Sequence, residues 1–158
     1  MTPARTFLFL IFSFTVVVCS AQSFIGDKRS KVKKDLEKFI QSTAVSVNIM
    51  ETDSSLVVPM NDPKYKPVDF LFLFDGDDKC IAEIRTGCDS CVAKYFQQAF
   101  EDSRYDWKQT SVNKFLSDSR HRLVMELVNN DKGSSLVIRR ISVGRREFEV
   151  VRKQAKYN

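Results

Sequence analysis

Cys88-Asp89-Ser90-Cys91 sets two thiols three positions apart, where an extended apolar segment ends and helical spacing begins. A sulfur at a helix start meets backbone N–H groups that have no partner inside the helix, and it sits at the positive end of the helix dipole. Both effects favour a thiolate, the form that attacks and leaves in disulfide exchange. Cys88 and Cys91 are therefore the candidate catalytic pair. Cys88, expected to be the more exposed, would form a mixed disulfide with a substrate chain, and Cys91, one helical step inward, would resolve it. As a staple the bond does little, because closing so short a loop restrains the unfolded chain by only about 2 kcal/mol.

Other side chains with chemical potential are less suggestive. Cys80 shares a face with Ala82 and Ile84 in a predicted strand and reads as a buried, inert thiol. The competing reading pairs Cys80 with Cys88 or Cys91 in a structural bond. His121 is the single histidine and lies between Arg120 and Arg122, so a surface role is favoured over a general base. No serine sits in a nucleophile elbow or triad pattern. The cysteines and one distant histidine do not have zinc-ligand spacing, and no glycine loop suits a phosphate, so neither a metal nor a cofactor is expected. Asp75-Gly76-Asp77-Asp78 lacks the alternating ligands and closing Glu of a calcium loop and reads as a turn.

The elements that must position the pair follow from periodicity. Val32, Leu36, Phe39 and Ile40 fall on one helical face, with Asp27 or Ser30 as the cap. Ala44 to Met50 reads as a strand, and Leu56-Val57-Val58 as a short helical or extended piece. Pro59, Pro63 and Pro67 mark an irregular approach to Val68–Phe74, which is apolar on both faces like a central strand. Cys80 to Arg85 returns as a hairpin strand. After Cys91, residues Val92, Tyr95, Phe96, Ala99 and Phe100 repeat at helical spacing and read as core. Thr110 is expected to cap a short helix with Val112, Phe115 and Leu116 facing inward. Leu123, Met125 and Leu127 alternate as a strand ending at Asn129–Gly133, Ser135 to Val143 reads as strand by propensity, and Phe148 to Val151 as a last strand. No internal repeat appears in the sequence.

The first residues carry Arg5, an apolar run from Phe7 to Val18, and small residues at Ser20 and Ala21, a pattern expected of a signal peptide (residues 1–21) cut after Ala21. The run is too short for a comfortable membrane span, and no later segment reaches that length, so the remaining domain (22–158) is expected to have no transmembrane segment. Loss of Arg5 lowers the formal net charge from +5 to +4, a mild excess that does not imply nucleic acid. Its densest patch, Lys28, Arg29, Lys31, Lys33, Lys34 and Lys38, reads as the solvated face of the first helix. No Asn-x-Ser/Thr triplet and no Lys-Asp-Glu-Leu tail occur, so residence in the endoplasmic reticulum lumen would need a partner, and secretion is otherwise the default.

The order helix, strand, Pro-bearing connector, buried strand, Cys-x-x-Cys helix, strand, Gly turn is similar to the luminal thioredoxin-fold domain of the oxidoreductase subunit family of the eukaryotic oligosaccharyltransferase. The matching pieces are Lys31–Phe39, Val47–Met50, Pro63–Tyr65 leading into Val68–Phe74, Cys88–Cys91 with a helix ending near Arg104–Trp107, Leu123–Val128, and Asp131-Lys132-Gly133 with Phe148 beyond. The resemblance implies an α/β fold, a thioredoxin-like central sheet flanked by helices, with strands near 45–50, 68–74, 122–128 and 148–151. It also implies a short helix after Gly133, against the strand that propensity gives there. The family's cis-proline position falls at Arg146, so Arg146, with Arg145 beside it, is expected to face the cysteines and to bear on substrate binding or on the Cys88 pKa. The implied partners are unfolded or folding polypeptides and oligosaccharyltransferase subunits. The implied activity is thiol–disulfide exchange that supports N-glycosylation through transient mixed disulfides. The alternative is a non-catalytic secreted binding module on the same fold.

Overall fold

The computed structural model describes residues 23–43, 47–60, 68–131 and 133–155. The expected signal segment lies outside them. Among the described residues, three helices, α1 (Arg29–Thr43), α2 (Asp89–Phe100) and α3 (Arg145–Gln154), accompany eight strands. These are β1 (Met50–Glu51), β2 (Ser55–Met60), β3 (Val68–Phe74), β4 (Cys80–Gly87), β5 (Lys108–Ser111), β6 (Lys114–Leu116), β7 (Leu123–Asn130) and β8 (Gly133–Arg140). The strands form one sheet in the order β1-β2-β3-β4-β8-β7-β6-β5. The chain is thus an α/β protein with a multi-stranded sheet flanked by three helices.

Each half of the sheet is a four-stranded meander preceded by a helix, and the halves join through their last strands, β4 against β8. The topology has an approximate two-fold relation that the sequence does not announce as a repeat. Every pairing among the described strands is antiparallel. A thioredoxin-type sheet needs a parallel pair joined by a crossover helix, and α2 instead links β4 to the far edge strand β5. The sheet here departs from the expected mixed arrangement.

Two helices share one face. Val32 and Leu36 of α1 pack on Leu56, Val58, Phe72 and Phe74, while Val92 and Ala99 of α2 pack on Phe115, Leu123, Met125, Leu136 and Ile138. Phe70, on the same face of β3 as Phe72, meets Tyr95 of α2 edge-on at 5.5 Å. The other face carries α3, whose Phe148 is fully buried against Leu116 and Val124. Strand alternation turns Val124 away from Leu123 and Met125, which fixes α3 opposite α2.

Several expectations change once the sheet is in place. Residues 110–116 form the β5–β6 hairpin rather than a helix, and Val112 is 76 % exposed at its turn. Phe115 and Leu116 are both buried, on opposite faces, as neighbours in a strand must be. Residues 148–151 are helical. The chain leaves a central strand there with no free sheet edge beside it, and a helix satisfies its own backbone groups. After Gly133 the strand read from propensity forms, and the short helix implied by the family resemblance does not. Of the expected strand at 44–50, residues 44–46 lie outside the described residues, and only Met50 pairs. Leu56–Val58 is part of β2. Neither Asp27 nor Ser30 caps α1: Lys28 precedes the first helical residue and its carbonyl accepts from the Val32 N–H, while Asp27 pairs with Lys31 at 2.8 Å. The basic face of α1 is largely neutralised locally, with Arg29 on Asp78 (2.6 Å), Lys33 on Glu51 (2.7 Å) and Lys38 on Asp35 (3.7 Å).

Candidate functional site

β4 runs straight into the candidate site. Its last residue, Gly87, is followed by Cys88 as the N-cap of α2, with extended backbone at φ −65° and ψ 150°. The Cys88 Sγ accepts a hydrogen bond from the Cys91 N–H at 3.2 Å, and the Ser90 hydroxyl lies 3.3 Å from the same sulfur. Cys88 and Cys91 are joined by a disulfide, with their Cα atoms 5.2 Å apart. Both residues are half-buried, and Asp89 and Ser90 between them are exposed. The two sulfurs therefore face each other at a solvent-bordering helix tip. On reduction, the N–H that now contacts Cys88 Sγ is placed to stabilise its thiolate.

The helix start is moored to the neighbouring hairpin. The Ser134 hydroxyl lies 2.6 Å from the Asp89 carboxylate and 2.8 Å from the Asn129 side-chain oxygen. Thr86 and Ser135 hydroxyls meet at 2.9 Å one step along the ladder. Gly133 adopts φ +129°, and a Cβ at this position would lie 2.6 Å from the Gly87 carbonyl oxygen. Only glycine lets the β7–β8 turn come this close to the end of β4. Sequence reasoning marked Gly133 as a turn residue but had no signal for its contact with Gly87, or for Ser134, because both depend on the β4–β8 pairing.

Cys80 lies at the other end of β4, about 25 Å from Cys88 at ordinary strand rise. A disulfide needs Cα atoms within about 7 Å, so the structural bond from Cys80 to either member of the pair is ruled out. Cys80 is fully buried, and burial, reinforced by the nearby Glu83 carboxylate, pushes its thiol up to about 12. It is inert, as its strand position suggested.

Arg145 and Arg146 are not brought to the cysteines. Both lie in the first turn of α3, on the opposite sheet face, where they line a shallow depression with Ser119, Glu149, Val150 and Lys153. The expected influence of Arg146 on Cys88 fails because the segment after β8 crosses to the far face instead of looping beside the pair. His121 Nδ1 sits 2.7 Å from Asp118 Oδ1, and the Asp118 carboxylate also accepts the backbone N–H groups of Arg120 and His121. This is a turn lock. The adjacent Ser117 hydroxyl is fully buried and engaged with the Leu123 N–H and the Asp118 carbonyl, so it is not available as a nucleophile. Among the described residues no cluster of metal-ligating side chains occurs, and no helix is long and apolar enough to cross a membrane.

No protein-family model, no curated protein and no solved structure matches this chain. The cysteine geometry stands as the basis for a functional reading.

Proposed function

We propose that the protein is a thiol–disulfide oxidoreductase of the secretory pathway acting through Cys88 and Cys91. The single observation that supports this most is the N-cap position of Cys88, with its sulfur held by the Cys91 N–H at a half-exposed helix tip. A substrate thiolate attacks the disulfide at Cys88, forming a mixed disulfide and releasing Cys91 as a thiolate. A second substrate thiolate then attacks the substrate sulfur of that bond, and Cys88 leaves. The substrate is oxidised by two electrons and the protein dithiol is the reduced product. In the reverse direction Cys88 attacks a substrate disulfide and Cys91 resolves it.

The narrower role, transient capture of folding chains that supports N-glycosylation beside oligosaccharyltransferase subunits, derives from motif order and the Cys-x-x-Cys. The antiparallel sheet contributes nothing to it. Residence in the endoplasmic reticulum lumen or secretion likewise derives from the apolar run at residues 7–18 and the cleavage pattern at Ala21.

The decisive experiment is mixed-disulfide trapping with Cys91→Ser in secretory cells, together with a redox titration of the purified wild-type pair. Covalent adducts lost in Cys88→Ser, and a potential above that of structural disulfides, are the expected results. A pair that stays oxidised in strongly reducing buffer and traps nothing would leave the alternative, a non-catalytic binding module with a structural bond. For the narrower role, trapped chains should carry Asn-x-Ser/Thr sites more often than secretory proteins at large.

A further inference from the structure

The far face of the sheet carries a group of cations that the protein leaves unmatched. α3 buries Phe148 there, and Arg146, Val150 and Lys153 recur at helical spacing on the side turned away from Phe148. With Arg145, Glu149 and Ser119 they line a depression of about 470 Å³. Several other exposed cations are matched: Lys31 by Asp27, Lys33 by Glu51, Lys114 by Glu126 and Arg120 by Asp118. Among the described residues no ion pair involves Arg145, Arg146 or Lys153, whereas Arg152 of the same helix pairs with Asp106 at 2.7 Å.

This arrangement runs against local electrostatics. Arg145 and Arg146 stand in the first turn of α3, where the helix dipole disfavours a cation, and Glu147 is the one acid of that turn. The helix is pinned in this position. Arg122 Nη1 donates to the Val143 carbonyl at 2.9 Å just ahead of α3, and Lys108 Nζ donates to the Arg152 carbonyl at 2.9 Å near its end. The Asp118 carboxylate, next in the chain to Ser119, is already engaged by Arg120 and His121. Three cations and the Glu149 carboxylate therefore leave the lining with a net charge of +2. Departures from local preference of this kind are expected where a protein binds something.

We propose that the depression beside α3 binds the phosphate group of an organic phosphomonoester. Such a group carries a charge of about −2 at neutral pH and three strong acceptor oxygens, the complement of the lining. The planar guanidinium groups of Arg145 and Arg146 suit two-point contact with those oxygens, and Lys153 adds a compact charge. Ser119 offers a neutral hydroxyl. Val150, 52 % exposed, gives the carbon beyond the ester oxygen an apolar footing, and the Glu149 carboxylate repels a second anionic group. The volume is in the range of small-molecule sites and leaves room beyond the phosphate.

In the purified protein at about 0.15 M salt, O-phosphoserine should bind saturably and move the backbone amide resonances of Ser119 and Arg145 to Glu147. Unphosphorylated serine should do neither. Binding that does not saturate, or resonances that move only elsewhere, overturns the proposal without any variant. Arg146→Gln with Lys153→Gln should weaken binding about tenfold or more, whereas Lys34→Gln with Lys38→Gln, which removes the same charge from α1, should leave it nearly unchanged. Equal losses in the two double variants mean diffuse surface charge and overturn it. Inorganic phosphate should bind more weakly than O-phosphoserine, and equal or tighter binding overturns the organic ester. A free small molecule and a phosphorylated side chain share this chemistry. Tighter binding of O-phosphoserine than of a phosphoserine peptide supports the first source, and the reverse order supports the second. The depression lies on the opposite sheet face from α2, so Cys88→Ser should bind as the wild type does, and failure of either reading leaves the other standing.

Discussion

A single strand, β4, has a cysteine at its first residue and another just beyond its last, and the two lie in opposite surroundings. Cys80 is sealed under α1 and the Phe24–Ile25 segment, its thiol pushed up to about 12 by burial. Cys88 lies where the strand gives way to a helix, half-exposed and hydrogen-bonded by an N–H of the first turn. On the proposed function, reactivity follows which side of an element boundary the sulfur falls on, not sulfur alone. Burial withdraws the dielectric that a thiolate needs, whereas an open helix end supplies oriented dipoles in its place.

The contrast can be broken most directly by exchanging the thiols' fates. Cys88→Ser should abolish disulfide exchange with a model dithiol, whereas Cys80→Ala should leave the exchange rate of the folded protein unchanged. Rates measured under pseudo-first-order conditions check both. In the reduced wild type, a thiol held at about 12 instead of 9.0 presents about a thousandfold less thiolate at neutral pH. Cys80 should therefore alkylate at least that much more slowly than Cys88 until denaturant removes the difference, as timed mass spectrometry can show.

Further substitutions sharpen the picture of what holds the reactive end in place. Gly133→Ala forces a side chain against the Gly87 carbonyl at φ +129°, and should cost about 1–3 kcal/mol in chemical denaturation. A larger share of that loss should appear as fraying of the first turn of α2 than of α1, visible by hydrogen exchange. Reduction of the Cys88–Cys91 bond should lower stability by about 2 kcal/mol at most, since the closed loop is short. Asp89→Ala removes the Ser134 contact and a favourable charge at the helix start, an effect of about 0.5–1 kcal/mol. It should also make the pair more oxidising, because a reduced Cys88 thiolate no longer faces a neighbouring anion.

The site was more legible in the sequence than the sheet was. Cys-x-x-Cys before a run of apolar residues at helical spacing is a local pattern, and helix starts are local events, so the position of Cys88 follows from nearby residues. The Asp75–Lys79 turn is local too: the Asp75 carboxylate accepts the N–H groups of Asp77 and Lys79, and the hairpin forms as read. The errors are non-local. Glu147-Phe148-Glu149-Val150 alternates like a strand, yet Phe148 finds its pocket at Leu116 and Val124 on the far face, and the segment is a helix. Thr110 to Leu116 carries a plausible cap and apolar spacing for a helix, yet pairing with β7 claims it as a hairpin. The placement of Arg146 beside the cysteines came from a family likeness that presupposed a parallel crossover, and an antiparallel sheet has no such loop.

By itself the sequence determined the helix tip with its cysteine pair, the buried character of Cys80, the α1 stripe and the β3–β4 hairpin, because each depends on residues a few positions apart. Only the tertiary structure decided that β4 pairs with β8, that Gly133 presses on Gly87, that Arg145 and Arg146 lie on the other face, and that Ser23 and Phe24 close over Glu83. The strand pairing, the Gly133 contact and the cover over Glu83 join residues 46 to 60 positions apart, the two arginines are placed across the sheet, and all are selected by which faces can be buried together rather than by any local preference.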